Sequence, residues 1–210
     1  MQWLERLREL GEDWAYLIKR DGWALGMGQA FKDAASLPYR HLQFVVVARS
    51  LADTLPDFKP EIQLNTRPFQ SGDLDFVRRQ HLPSEANLCR LRLQRGDYGI
   101  VAACNGKSAG YAWSCVDTNL ERVALNLQPG DALCTDAFTA PDFRGKGVQT
   151  ALALARMKAL QRKGYKRAIA YIEIHNRPSL AVWRKFDAEV IERIDFRRIG
   201  LWRTTRLRRP

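Results

Sequence analysis

The chain has 210 residues, 46% of them hydrophobic and 27% charged, which is the composition of a folded globular protein with room for one sizeable domain and an extension. Its net charge of +11 suits polyanionic partners: phosphate-bearing small molecules, anionic lipid or nucleic acid. Cys89, Cys104, Cys115 and Cys134 show no Cys-x-x-Cys spacing, which argues against a zinc site and predicts buried free thiols in a reducing, cytoplasmic setting.

Residues 2–20 carry an amphipathic helix pattern. Trp3, Leu4, Leu7, Leu10, Trp14, Leu17 and Ile18 share one face, and Glu5, Arg6, Arg8, Glu9, Glu12 and Asp13 share the other. The segment is too charged for a signal peptide. Its apolar face is expected to pack on its own domain or on a second copy of the chain. Contact with the inner face of a membrane is the alternative, although the mixed charge opposes it. A weaker helix is expected over 23–35. His41 to Leu51 reads as a β-strand; its apolar run is too short to span a bilayer.

Glu61 to Leu64 reads as a second strand, and Asp73 as the cap of a helix reaching Gln80. His81 to Asn87 is polar and interrupted by proline, and is expected to be a loop. Tyr98 to Cys104 and Ala109 to Val116 flank Asn105-Gly106, a strong hairpin signal. Residues 117–130 make a connection. Lys166 to Ile174 reads as a strand parallel to the one beginning at Asp131, Asn176 to Lys185 as a short helix, and Val190–Phe196 and Ile199–Leu207 as a closing pair. The tail arginines, Arg193, Arg197, Arg198, Arg203, Arg206, Arg208 and Arg209, are mostly explained by solvated strand faces, with an anionic-surface or nucleic-acid patch as the alternative. Nothing matches a nucleic-acid-binding motif.

The most informative stretch is DALCTDAFTAPDFRGKGVQTALALARMKAL, from Asp131 to Leu160. An apolar strand meets Pro141, passes through Arg144-Gly145-Lys146-Gly147 and enters a helix marked by Val148, Ala151, Leu152, Ala155, Ala159 and Leu160. The first N–H groups of such a helix lack internal acceptors, and the helix dipole favours an anion beside them. Arg144 and Lys146 add positive charge, while Gly145 and Gly147 let a phosphate approach the backbone. A Walker A loop is excluded by Ala140 and Gly147, and a dinucleotide fingerprint by the absence of a third glycine near Thr150.

Arg-Gly-x-Gly-Val between strand and helix resembles the pyrophosphate-binding motif of the GNAT superfamily of acyl-CoA-dependent N-acyltransferases. A second segment, Asn176-x-x-Ser179-x-x-x-Trp183-x-Lys185-Phe186, is similar to that family's Asn-x-x-(Ser/Ala)-x-x-x-Tyr-x-Lys-x-Gly-Phe. Trp183 stands where tyrosine is frequent and Asp187 where glycine is usual. The resemblance implies an α/β (mixed α+β) fold: a GNAT-like mixed sheet, splayed between the central strand and its parallel neighbour and flanked by helices. Residues 1–59 would form a helical and strand extension, and residues 60–210 the acyl-CoA-binding domain. Acetyl-CoA or a longer acyl-CoA would be the co-substrate, an amine the acceptor, and no metal is implied. Phe138 and Thr139 would pair with the pantetheine amides. Arg144, Gly145, Lys146, Gly147, Val148 and Gln149 would hold the pyrophosphate, and Asn176, Ser179 and Trp183 would border the thioester. Residues 76–95 would shape the acceptor pocket.

Amide formation from a thioester requires a neutral amine, so a base must remove its proton. Asp131 and Asp136 flank the central strand at positions where family members place an acid. Their odd spacing puts them on opposite faces of an unbroken strand, and only a bulge would let both line one pocket. Asp136 is preferred because it shares parity with Phe138. Tyr171, His175 and Cys134 are the candidate acids for the leaving thiolate, since an indole at 183 cannot serve. The N-terminal face, six tryptophans and basic tail tilt the acceptor toward a hydrophobic or membrane-associated amine. A non-catalytic acyl-CoA-binding module is the competing reading.

Overall fold

A computed structural model describes residues 39–115, 125, 127–199 and 202–208, together with Asp13 and Ala15. The remainder of the expected helices over 2–20 and 23–35, and most of the connection 117–130, lie outside the described residues. Two compact units are distinguished: residues 1–41, 70–95 and 197–204 form one, and residues 42–69, 96–196 and 205–210 the other.

The larger unit holds β2 to β6 and most of the other strands of a mixed eight-stranded sheet, in the order β2-β3-β4-β5-β6-β1-β7-β8. The strands are β1 (Tyr39–Ser50), β2 (Asn65–Pro68), β3 (Tyr98–Cys104), β4 (Lys107–Cys115), β5 (Asp131–Thr139), β6 (Arg167–Glu173), β7 (Glu189–Ile199) and β8 (Trp202–Arg208). The first strand of the chain is therefore in the interior of the sheet. It pairs antiparallel with β6, Val45 opposite Ile172 and Val47 opposite Ala170, which accounts for its unbroken apolar run. The expected hairpin is present: Asn105 (φ 48°) and Gly106 (φ 76°) make the two-residue left-handed turn that Asn-Gly favours. Residues 204–208 of β8 are exposed, as solvated faces of an edge strand require.

Glu61 to Leu64 forms no strand. Ile62 and Leu64 instead lend their side chains to an apolar cluster with Ile100, Ala102 and Leu152, and ladder pairing begins at Asn65, opposite Ala103.

Helix α3 (Val148–Arg162) crosses over between β5 and β6. It is buried on two flanks: Val148, Leu152 and Ala159 meet β3 and β4, while Ala153, Leu154, Met157 and Leu160 meet β5 and β6. Full burial of a leucine such as Leu152 or Leu160 contributes about 1.5–3 kcal/mol. The helix ends as Gly164 predicts, with φ 83° at that glycine, Tyr165 N–H donating to Leu160 O (3.1 Å) and Gly164 N–H to Gln161 O (3.0 Å). Helix α4 (Arg177–Arg184) buries Val182 and Trp183 in the same core.

In the smaller unit a single 3-10 turn, Ser71–Asp73, leads into α1 (Leu74–Gln80), and the Asp73 carboxylate accepts from Gln70 N–H at 2.8 Å. The expected loop over 81–87 is largely helix: α2 runs from Pro83 to Arg95. Proline at the first helical position loses an N–H that has no helical acceptor anyway, so it starts this helix rather than breaking it. Asp13, assigned from sequence to a solvent face, is buried, and its carboxylate accepts from Ser84 N–H (3.2 Å) and Ser84 Oγ (2.7 Å) at the start of α2.

Gly110, in β4, has no room for a side chain: a Cβ there would run into the Phe138 carbonyl oxygen and approach Leu152 Cδ1 to 3.2 Å. Gly110→Ala should therefore lower the unfolding free energy by about 1–3 kcal/mol in a denaturant titration. An unchanged midpoint would show that β4 and β5 are not held at this separation.

Candidate active site

The cleft is created by the end of a hydrogen-bond ladder. Parallel pairing of β5 with β6 is confined to Asp131 with Arg167, Ala132 with Ala168 and Leu133 with Ile169. Both strands run on, to Thr139 and Glu173, without pairing to each other. A cavity of about 300 Å³ opens where pairing stops, lined by Cys134 to Ala137 of β5 and Ala170 to Glu173 of β6. Gln149, Ala153 and Arg156 of α3, and Asn176, Ser179, Val182 and Trp183 at α4, complete its walls with Phe44 of β1.

A β-bulge shapes the β5 wall. Trp113 pairs with Thr135 and Tyr111 with Phe138, so Asp136 and Ala137 stand opposite the single residue Ala112. Asp136 takes φ 35°, a conformation that aspartate tolerates better than most side chains. The bulge resets the alternation. Thr135 and Phe138 now share a face, and Asp136 reaches the cleft by the bulge rather than by parity with Phe138. Arg156 fills the irregularity from below, its Nη1 donating to Trp113 O (2.9 Å) and Thr135 O (3.2 Å).

The glycine turn lies at the N-terminal end of α3. Gly145 and Gly147 both have positive φ, 78° and 80°. At Gly145 a Cβ would meet nothing within 4 Å, whereas at Gly147 it would come within 2.9 Å of the Phe58 ring. Gly147 caps α3 without a side-chain bond, and the helix's Ala151 N–H donates to its carbonyl at 3.0 Å. The N–H groups of Val148, Gln149 and Thr150 precede that bond, as in any helix start. The Arg144 N–H is committed inward, to Pro141 O at 3.2 Å, and its Nε donates to Thr139 O at 3.3 Å. Lys146 folds back, Nζ donating to Asp142 O at 2.9 Å.

The remaining sequence candidates separate. Asp131 sits at the paired end of β5. Its carboxylate is 2% exposed, held by Arg167 Nε (2.8 Å) and Nη2 (2.7 Å) and by Gln128 N–H (2.8 Å), and it does not line the cleft. Hydrogen bonding to Asp131 raises the Arg167 guanidinium further above its ordinary value, against a smaller opposing effect of burial. Tyr171 lines the cleft, edge-on to Phe44 with centroids 5.7 Å apart. His175 is exposed and outside the lining. Burial pushes the Cys134 thiol up, against the opposing charge of Arg156, so it stays protonated. Asn176 caps α4, its Oδ1 accepting from Ser179 N–H at 3.2 Å. Trp183 is buried in the core and lines the cleft. Asp187 has φ 52°, a left-handed position that explains why glycine is usual there and why aspartate suffices.

Sequence reasoning passed over Arg156, Phe44 and Glu173, and named a bulge only as the condition for both aspartates to line one pocket. The available signal for Arg156 was its place four residues from both Leu152 and Leu160, a charge on a buried stripe.

A mixed sheet thus opens close to a glycine-turned helix start. Residues 62–188 match the acetyltransferase (GNAT) family, and the chain belongs to that family. Over 52 residues it is 40% identical to a mycothiol acetyltransferase of Saccharomonospora viridis, a match covering 25% of this chain and 17% of that protein. The fold is shared with a GCN5-related N-acetyltransferase from Sphaerobacter thermophilus (TM-score 0.58, 17% identity, 87% of this chain and 57% of that one). It is shared equally with a tandem GNAT protein from the clavulanic acid biosynthesis pathway (TM-score 0.58, 19% identity, 82% and 58%). The chain thus spans less than two thirds of the length of these proteins.

Asp131→Ala should cost about 1.5–3 kcal/mol of stability, toward the lower figure because Arg167 is partly solvated. Asp136→Asn, at an exposed position, should stay within about 0.5 kcal/mol of the parent. Equal losses in chemical unfolding would remove the distinction between a structural and a cleft-facing acid.

Proposed function

We propose that the chain transfers an acetyl or longer acyl group from acyl-CoA to an amine by direct attack within a ternary complex. The observation that carries this reading is that Gln149, in the first turn of α3 directly after the glycine cradle, also lines the cleft where β5 and β6 part. Gly145, Lys146, Gly147, Val148 and Gln149 hold the pyrophosphate through backbone N–H groups and the helix dipole; the inward-turned Arg144 N–H is left out, and its guanidinium contributes charge. Phe138 and Thr139 face the pantetheine arm, and Asn176, Ser179 and Trp183 border the thioester.

An alkylamine titrates near ~10.4 in water, so the reactive neutral form must be generated in place. Asp136 takes that proton, directly or through a water. The amine nitrogen bonds to the carbonyl carbon, the C–S bond breaks with its electron pair on sulfur, and CoA leaves as the thiolate. A backbone N–H on β5 steadies the oxyanion. Tyr171, within the cleft, returns a proton to sulfur more readily than the outlying His175. Asp131 is a structural anchor in this account. The preference for a hydrophobic or membrane-associated amine rests on the N-terminal tryptophans and basic tail, as does an assembly of two copies through the N-terminal face.

Free CoA at about a hundred times its dissociation constant should stabilise the protein by about 2.7 kcal/mol, read as a thermal shift. No shift would sink the acyl-CoA reading. With thiol release followed across a panel of amines, Asp136→Asn should keep the shift and lose turnover by about 10²-fold or more. Full turnover in that variant would remove Asp136 as base, and a shift without turnover in the parent would favour a binding module.

A further inference from the structure

Arg156 is the only charged residue among those that α3 buries, with 3% of its surface exposed. Its Nη1 is satisfied by the Trp113 and Thr135 carbonyls, but its Nε is buried and meets no acceptor. None of the ion pairs among the described residues includes it. A guanidinium taken out of water normally brings a carboxylate with it, because two carbonyl dipoles offset only part of the lost hydration. Yet this residue lines the cleft, so its side chain borders whatever occupies that space. Asp136 and Glu173 also line the cavity, but from exposed positions in contact with solvent.

Position decides what could supply the counter-charge. Gln149, Ala153 and Arg156 follow one another along a single face of α3, and all three line the cleft. The stripe starts at the glycine cradle, and Arg156 lies eight residues beyond Val148, roughly 12 Å along the helix axis. Ala153, between them, presents only a methyl group to the cleft. A molecule anchored by its pyrophosphate at the head of α3 therefore runs its other end toward Arg156.

We propose that Arg156 is an anion subsite for the acyl group itself, selecting a CoA thioester of a dicarboxylic acid, of the malonyl or succinyl class, over acetyl. The inference rests on the acyl-CoA reading above. The distal carboxylate accepts from the guanidinium and supplies the charge that the protein withholds.

The test is equilibrium binding of CoA, acetyl-CoA, butyryl-CoA and succinyl-CoA to the parent chain, without acceptor. Butyryl-CoA matches the succinyl chain length but lacks the carboxylate, so it separates charge from room. Succinyl-CoA should bind on the order of tenfold more tightly than both neutral thioesters. Arg156→Met should erase that ratio while CoA itself binds as before, and Arg156→Lys should keep part of it. If Arg156→Met does not fold, the parent ratio and the lysine variant still decide. CoA binding with no preference for succinyl-CoA overturns the subsite and leaves the acyltransferase reading standing. Failure of CoA to bind overturns that reading and the subsite with it.

Discussion

Beyond Leu133 and Ile169 the backbones of β5 and β6 no longer bridge to one another, and the site described above follows from that parting. A parallel ladder is normally closed on both faces and leaves no room for a ligand. Here three paired positions hold the strands together at one end, where Asp131 and Arg167 also lock their side chains in a doubly hydrogen-bonded pair. At the other end the strands diverge around the cavity. The half-buried pair and the open cleft are two ends of the same construction, and this is why the two aspartates of β5 have different surroundings.

The bulge at Asp136 completes the arrangement. A sheet whose central strand kinks away from one neighbour must still satisfy the carbonyls that lose regular partners. Arg156 does this from α3, bridging Trp113 and Thr135 across the irregularity. The same side chain thereby places a positive charge against the cleft. The bulge, a buried cation and the exposed carboxylate of Asp136 thus meet at one wall of the cleft.

Much of this was legible in the residues. Gly145, Gly147 and Gly164 marked the start and end of α3 because each needs a left-handed backbone, and Asn105-Gly106 fixed a hairpin for the same reason. The family resemblance carried the splay, which no periodicity could show, since an unpaired strand end has the same apolar pattern as a paired one. What strict alternation could not reveal was the bulge: counting by twos from Asp136 to Phe138 assumes one residue opposite one, and the register breaks between them. Pro83 misled as a breaker because proline has opposite meanings at the first turn and in the middle of a helix. Ile62 and Leu64 misled because an apolar pair can fill a core without joining a ladder.

The most direct test of the central claim is backbone hydrogen exchange with and without CoA. Ligand in the cleft should slow exchange over Thr135–Thr139 and over the first turn of α3, while Ala132 and Leu133, already paired, change little. Protection confined to the arginine-rich strands β7 and β8, with none at the head of α3, would contradict it and point to a site governed by surface charge alone.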